Sequence, residues 1–344
     1  MRVLVGLSGG VDSLSVALLL KNKGYDVIGL FLDFLNKKSS EQEYSELKLS
    51  AKKLGIEVYR KDLSKEFESS VISYFQESYI SGITPNVCVF CNERFKIPSL
   101  ISFLDEYECE RVATGHYANI SYKEDRYIIS MAKDRWKDQS YMIHRLSQEA
   151  LSKLIFPLGG YFKQEIKELM SLNGFDSYSK KRESYSICFI HNQTYKDYLL
   201  SRNPELSSLE NGEVLDMQGN IIGTHQGYPF YTIGQYKGLN LKTKEKLYIN
   251  KIIPQDNQII VGTKELCYKS EIEISQINFI QYPKQEEGEF LVKIRGKDVG
   301  EMARVVFEEN SAKIFFSKAV FAPIKGQGIV LYDKEELICG GEII

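Results

Sequence analysis

Val3-Leu4-Val5-Gly6-Leu7-Ser8-Gly9-Gly10-Val11-Asp12-Ser13-Leu14 is the stretch on which the fold turns. Val3–Leu7 is an unbroken apolar run and reads as a buried strand, whereas residues 13–23 carry helical periodicity through Leu14, Ala17 and Leu18. Two adjacent glycines stand between them. They permit a tight turn and close approach of a ligand to the backbone, and the helix that follows points unpaired N–H groups and the positive end of its dipole at an anion. Gly6, Leu7, Ser8, Gly9, Gly10, Val11, Asp12 and Ser13 are therefore the candidate phosphate-binding residues, with Ser8 and Ser13 adding hydroxyl donors. No lysine follows the glycines, so this is not the Gly-x4-Gly-Lys-Ser/Thr loop.

Outward from that turn, strand and helix patterns alternate. Val27–Leu32 and Glu57–Arg60 read as strands and 40–54 and 64–80 as helices, followed by a polar loop at 82–92, a helix at 93–107 and a strand at Arg111–Thr114. Strands separated by helices of this length imply a doubly wound parallel sheet, whose ligands sit beyond the carboxyl ends of the strands. After Asp134 the pattern turns helical, with Gln139–Ser152 and Phe162–Leu172 as helices. Beyond Gly212 it becomes short alternating runs, among them Glu271–Phe279, Glu289–Ile294, Ala303–Phe307, Lys313–Phe316 and Gly328–Leu331, which imply a small antiparallel barrel or sandwich. The expected division is 1–200 with a helical part at about 135–200, 201–266 as a small central domain, and 267–344 as a C-terminal β-barrel.

The chain has 344 residues, more than one ordinary core accommodates. Hydrophobic residues at 43% and charged residues at 26% fit a water-soluble globular protein, and there is no apolar run long enough to span a bilayer. With a strand starting at Val3 there is no room for a cleaved leader, so a cytoplasmic location is expected. The net charge of −2 does not advertise a polyanionic partner, although 44 Lys and Arg suffice for local basic patches. Six cysteines are too sparse for a disulfide scaffold. Cys88 and Cys91 lie in Thr84-Pro85-Asn86-Val87-Cys88-Val89-Phe90-Cys91-Asn92, a loop leading into a helix, where a helix start would stabilise a thiolate. Cys188 lies far away, in Tyr185-Ser186-Ile187-Cys188-Phe189-Ile190. Cys88-x2-Cys91 could be half of a zinc site, but no second closely spaced pair completes one. Cys109, Cys267 and Cys339 read as small core residues.

Ser-Gly-Gly-Val-Asp-Ser resembles the pyrophosphate-binding loop of the ATP-pyrophosphatase (PP-loop) superfamily, whose members attach AMP to an oxygen and release pyrophosphate. Together with the two cysteine segments, Ala113-Thr114-Gly115-His116-Tyr117-Ala118, Lys137-Asp138-Gln139-Ser140-Tyr141, Gly223-Thr224-His225-Gln226-Gly227 and Tyr231-Thr232-Ile233-Gly234-Gln235, the chain resembles the bacterial tRNA-specific 2-thiouridylases from residue 3 to its C-terminus. The resemblance implies an adenine nucleotide alpha hydrolase-like α/β fold. It also implies that ATP adenylates the C2 oxygen of a wobble uridine in tRNA and that a cysteine persulfide delivers the sulfur. Cys188 would carry the persulfide and Cys91 would be the nucleophile, the two passing through a transient disulfide, with Cys88 assisting. Leu32 and Gly115 would line the nucleotide site, and Asp12 would help hold Mg2+ through ATP, with no tightly bound metal.

By the same resemblance Asn86, Val87 and Cys88 touch the target base, while His116, Lys137, Asp138, Gln139, Arg295, Gly296 and Gln327 contact tRNA. Lys, Glu and Gln acceptors are the implied tRNAs, with a cysteine desulfurase or a sulfur relay protein as donor. Two departures stand out: Tyr236 replaces the family's usual Arg, and Gly296-Lys297 replaces a Tyr-Arg pair, both of which weaken the expected grip on RNA. The competing readings are another PP-loop ligase acting on a small molecule and a tRNA-binding paralogue without catalysis.

Overall fold

The opening apolar run becomes β1 (Arg2–Gly6), the middle strand of a five-stranded parallel sheet. The computed structural model describes residues 1–180, 187–190, 193–241, 243–282 and 286–344; Tyr185 and Ser186, from the second thiol segment, lie outside the described residues. The chain continues through α1 (Val11–Asn22), β2 (Asp26–Asp33), α2 (Lys38–Leu54) and β3 (Glu57–Asp62). It then runs through α3 (Ser64–Phe67) and α4 (Ser73–Ile80), joined by a π turn at Glu68–Ile72, and through α5 (Val87–Cys91) and α6 (Ile97–Ser102), joined by a π turn at Asn92–Lys96. Next come β4 (Arg111–Ala113), a hairpin of β5 (Ala118–Lys123) and β6 (Arg126–Met131), α7 (Gln148–Ser152), β7 (Leu154–Ile155), α8 (Lys163–Leu172), α9 (Asp176–Ser179) and α10 (Tyr195–Arg202).

The strand order is β3-β2-β1-β4-β7 with every pair parallel. Alternation along β1 explains why helices cover both faces: Val3 and Val5 enter one apolar core with α1, α2 and α8, and Leu4 enters another with α6 and α7. The connections change direction between β1 and β4, so the ends of these two strands frame the crevice in which a doubly wound sheet binds its ligand.

The central sheet contains β8 (Gly212–Leu215), β9 (Ile221–His225), β10 (Asn240–Leu241), β11 (Tyr248–Ile253) and β12 (Gln258–Gly262), in the order β10-β9-β8-β12-β11. Six more strands follow: β13 (Tyr268–Phe279), β14 (Glu287–Lys293), β15 (Glu301–Phe307), β16 (Ser311–Phe321), β17 (Gly328–Asp333) and β18 (Glu336–Ile343). They run in the order β13-β16-β15-β14-β17-β18, and β18 pairs back with β13, closing an antiparallel barrel. Closure removes exposed sheet edges.

Several expectations are corrected. The segment 82–92 is helical from Val87 onward, because Val87 and Val89 bury themselves and start the helix earlier than its polar neighbours suggest. Gln139–Ser152 is not one helix but a 3₁₀ turn at Ser140–Ile143 and the short α7. The 118–131 hairpin had no assigned strand in the sequence. It extends the barrel sheet through β18, and Arg126 donates to the carbonyls of Phe279 and Ile280. One continuous apolar core therefore runs from the parallel sheet into the barrel through Ile129, Tyr141, Ile280, Val330 and Tyr332. No helix among the described residues is long and apolar enough to cross a membrane.

Candidate active site: a phosphate loop beside three thiols

The glycine turn closes on itself through Ser13. Its Oγ accepts from the Ser8 backbone N–H at 3.1 Å and from the Ser8 hydroxyl at 3.2 Å, and donates to the Gly10 carbonyl at 3.1 Å. Gly9 adopts φ +71, the left-handed region that favours glycine. Gly10 caps α1 without a side chain, which leaves the first N–H groups of a three-turn helix facing outward. Gly115, just past β4, presses on this turn: a Cβ there would lie 3.1 Å from both Asp12 Cβ and the Ser13 nitrogen. Leu32 lies near the carboxyl end of β2, half-buried against the core that also holds Leu4.

Asp12 faces a partner invisible in the sequence pattern. Its Oδ1 accepts from the Lys163 ammonium at 2.6 Å and from the Tyr117 hydroxyl at 2.9 Å. Lys163 opens α8, is only 6% exposed, and comes from 151 residues away. The loop has no lysine of its own, so the fold supplies one. The signal available in the sequence was slight, a lysine at the start of a predicted helix.

The thiols lie next to the residue that follows Gly115: His116 meets Lys96 at 3.2 Å, and the Lys96 charge acts on Cys88, Cys91 and Cys188. Cys88 and Cys91 lie on α5, which is clamped from several sides: Phe90 stacks on Tyr74 at 3.9 Å, the Asn92 amide donates to the Met142 carbonyl at 2.9 Å, and Glu93 pairs with Arg145 at 2.6 Å. Cys188 reaches the group from a distant segment anchored by Phe189, which is 2% exposed and packs on Phe67, Phe75 and Tyr198 at 5.9, 5.3 and 5.3 Å. Cys88 and Cys188 are exposed and Cys91 half-exposed, all as free thiols, whereas Cys109, Cys267 and Cys339 are buried in the core as expected.

The protonation of these thiols departs from the expectation. A helix start was to lower Cys91, but Cys91 is the fifth residue of α5, beyond the reach of the terminal amides. Desolvation in the crevice raises both Cys88 and Cys91, and Lys96 opposes that rise in each. Cys188 is pushed up to about 12 by desolvation first, then by the neighbouring Cys91 and Cys88, with Lys96 again working the other way. Its surface is exposed, yet the surrounding protein desolvates the thiolate. The mutual influence places the three sulfurs in one electrostatic neighbourhood. Among the described residues no group of three or more His, Cys, Asp or Glu is arranged to hold a metal ion.

The residues expected to meet RNA divide into exposed and inward-turned sets. Lys137 is half-exposed, next to Trp136, which is 88% exposed. Asp138 is buried: it accepts from Ala132 N, Ser140 N and Ser140 Oγ and lies 3.6 Å from the Lys293 ammonium. Gln139 accepts from Tyr117 N at 3.0 Å. His116 is buried between Thr114 and Lys96. Asn86 donates to the Tyr141 hydroxyl at 3.1 Å, and Val87 is 6% exposed beneath it. From the barrel, Gln327 donates to the Thr84 carbonyl at 2.6 Å, which ties the cysteine loop to β17. Arg295 forks onto the carbonyls of Phe321 and Ala322. Gly296 packs on Tyr141 and Met142, where a Cβ would sit 2.8 Å from Met142 Cε.

Three family models cover most of the chain. One described as a tRNA methyl transferase HUP domain matches residues 1–192, one described as a tRNA methyl transferase PRC-barrel domain matches 199–263, and one described as an aminomethyltransferase beta-barrel domain matches 269–343. Among curated proteins, the tRNA-specific 2-thiouridylase of Salinibacter ruber is 39% identical over 99% of this chain and 94% of its own length. The tRNA-specific 2-thiouridylase of Amoebophilus asiaticus is 37% identical over 99% of this chain and 95% of its own. That of Chlorobium phaeovibrioides is 39% identical over 99% of this chain and 97% of its own.

Proposed function

The chain belongs to the tRNA-specific 2-thiouridylase family, and from that premise we propose that it exchanges the C2 oxygen of a wobble uridine in tRNA for sulfur at the expense of ATP. The observation that carries this reading is the link between a phosphate-type glycine turn and three free thiols from two distant segments: Gly115 presses on the turn, its neighbour His116 meets Lys96 at 3.2 Å, and the Lys96 charge acts on all three sulfurs. Methyl transfer, the chemistry named in the family-model descriptions, needs no set of neighbouring thiols.

ATP fits the crevice by the chemistry of its donors. The first backbone amides of α1, left without intrahelical partners at its free end, suit a pyrophosphate, and the Lys163 ammonium, held by Asp12, stands ready to balance its charge. Mg2+ would enter with ATP, and Asp12 would be the residue of the turn that helps hold it. The uridine C2 oxygen attacks the α-phosphorus, pyrophosphate leaves, and C2 is left carrying AMP as leaving group. A persulfide on Cys188 then supplies sulfur.

In one order of events the terminal sulfur attacks C2, AMP departs with the oxygen, and the Cys91 thiolate attacks Cys188 Sγ, so that the sulfur–sulfur bond breaks and the thiocarbonyl sulfur is released to the base. In the other order Cys91 attacks first and frees hydrosulfide, which attacks C2. Both end in a Cys91–Cys188 disulfide: two thiols are oxidised, the sulfane sulfur is reduced, and an external thiol reductant must reopen the bridge. Either order requires the two Cα atoms to come within about 4.4–6.8 Å.

In this reading Asn86, Val87 and Cys88 line the base. Lys137 and the barrel face near Arg295 and Gln327 hold the tRNA, with Asp138, Gln139 and Gly296 shaping those surfaces from inside. Residues 1–200 serve the nucleotide and sulfur chemistry, 201–266 form the small central unit and 267–344 hold tRNA. Acceptors for Lys, Glu and Gln, a cysteine desulfurase or relay protein as donor, and a cytosolic setting complete the proposal. The test is incubation with ATP, Mg2+, a sulfide source and tRNA, with the wobble nucleoside read by mass. Appearance of 2-thiouridine together with tRNA-dependent pyrophosphate release supports the reading; pyrophosphate release without tRNA points to a small-molecule ligase, and neither product sinks it.

A further inference from the structure

His116 lies just past β4 with 6% of its surface exposed. Its Nε2 is 3.2 Å from the Lys96 ammonium and its Nδ1 is 2.8 Å from Thr114 Oγ1. An ammonium can only donate, so Nε2 is the accepting nitrogen, the ring proton is on Nδ1, and that N–H donates to Thr114. Burial and the adjacent Lys96 both keep the ring neutral, well below the usual range. A neutral imidazole holds an ammonium in place without cancelling its charge, as a carboxylate would.

Lys96 itself ends the π turn at Asn92–Lys96 that follows α5. A π turn closes over five residues instead of four, which brings position 96 under position 91 on the same side of the helix. The Lys96 charge acts on all three sulfurs, Cys88, Cys91 and Cys188.

We propose that Lys96 is the charge-balancing residue of sulfur transfer and that His116 is its positioning residue: the ammonium offsets the negative charge on the attacking sulfur, and the imidazole fixes where that charge stands. The fate of the sulfur rests on the proposed thiolation; the thiol electrostatics do not. The titratable and charged groups facing Cys91 are Lys96 and Cys88 on its own helical run and Cys188 from the crossing segment, with His116 behind Lys96. His116 thereby acquires a role inside the crevice in place of a direct grip on tRNA.

The test uses the full chain carrying Cys88→Ser and Cys188→Ser, so that iodoacetamide reports on Cys91, and follows alkylation rate against pH without ATP or tRNA. Lys96→Met should raise the apparent Cys91 pKa by about one unit and slow alkylation at neutral pH about tenfold, since an opposite charge a few ångströms away shifts a pKa by that order. Lys96→Arg should restore most of the rate. His116→Leu should reproduce about half of the shift in pKa units, and His116→Gln, whose carbonyl oxygen can still accept from Lys96, should reverse it. An unchanged profile in Lys96→Met, or in His116→Leu if Lys96→Met does not fold, overturns the proposal. Because no RNA is present, that result leaves the thiolase reading standing, and absence of 2-thiouridine in the assay above leaves the thiol electrostatics standing.

Discussion

The phosphate turn and the thiol cluster, linked through Gly115 and His116, are built in opposite ways. The turn comes from eight consecutive residues, Gly6–Ser13, whose backbone geometry and serine hydrogen bonds are local, with Gly115 as the lid that lets two strand ends meet. The thiol cluster comes from α5 and from a segment about a hundred residues later, fixed by aromatic packing around Phe189 and by tethers to the barrel. One half is ready as soon as its strand and helix form. The other depends on the whole molecule, so substitutions in the two halves should fail in different ways.

The largest expected effect is on the assembled half. Cys188→Ser removes the proposed sulfur carrier, and thiolation should fall by at least about a thousandfold, as loss of a covalent nucleophile does. Single-turnover pyrophosphate release should continue, and loss of both products together would show that the halves are not separable. On the local half, Lys163→Met removes the ammonium beside the turn and leaves Asp12 facing the phosphates alone. Pyrophosphate release should fall about a hundredfold, the order associated with one preorganised electrostatic group. Alkylation of the thiols, measured in the same protein, should be unchanged.

The contrast decides what was legible in the sequence. Strand, turn and helix at residues 3–23 follow from local pattern, and the structure reproduces them within two residues. The parallel order was legible for the same reason, because long apolar runs such as Val27–Leu32 require cover on both faces. The barrel was legible as class, but its sixth strand, Glu336–Ile343, was not, since Gly340 and Gly341 break the apolar alternation. Each glycine makes room for a neighbour: a Cβ on Gly340 would lie 2.1 Å from His144 Cδ2, and one on Gly341 would lie 2.9 Å from the Ser275 carbonyl oxygen. Lys163 at Asp12, Lys96 at His116 and the raised thiols were hidden because each depends on contacts between separate elements. Local reasoning placed a helix start beneath Cys91 and inferred a stabilised thiolate, whereas Cys91 ends that helix and tertiary burial raises it.

A pH series sharpens the same division. The thiols stand above their ordinary value, with burial the largest cause, so the reactive anion is the minor species at neutral pH and grows with pH. Single-turnover sulfur transfer should therefore rise about tenfold from pH 6.5 to 7.5, the slope expected when one proton must be lost first. Pyrophosphate release draws on hydroxyls, amides and a carboxylate–ammonium pair and should change less than about twofold over that interval. Parallel slopes would mean that adenylation also waits on a thiol or limits the overall rate.

The smallest effect concerns how RNA reaches both halves. Tyr236, where the resemblance implies an arginine, is not isolated: its ring lies 5.4 Å from that of Tyr248, and the Lys246 ammonium stands 3.9 Å above its centroid. Lys237 approaches the same ring at 5.6 Å, and Tyr248 continues to Phe321 at 6.1 Å. Aromatic faces interleaved with lysines offer stacking together with phosphate neutralisation, so the two functions of one guanidinium are available here from two separate groups. The two can be told apart by salt. Lys246→Ala should weaken tRNA binding and lower the slope of log affinity against log salt by about one, because one fewer counterion is released. Tyr236→Ala should weaken binding about threefold to tenfold with the slope nearly unchanged, since stacking releases no counterion. Equal slope changes in both variants would mean that Tyr236 acts only by seating Lys246, and that the aromatic face itself makes no contact with RNA.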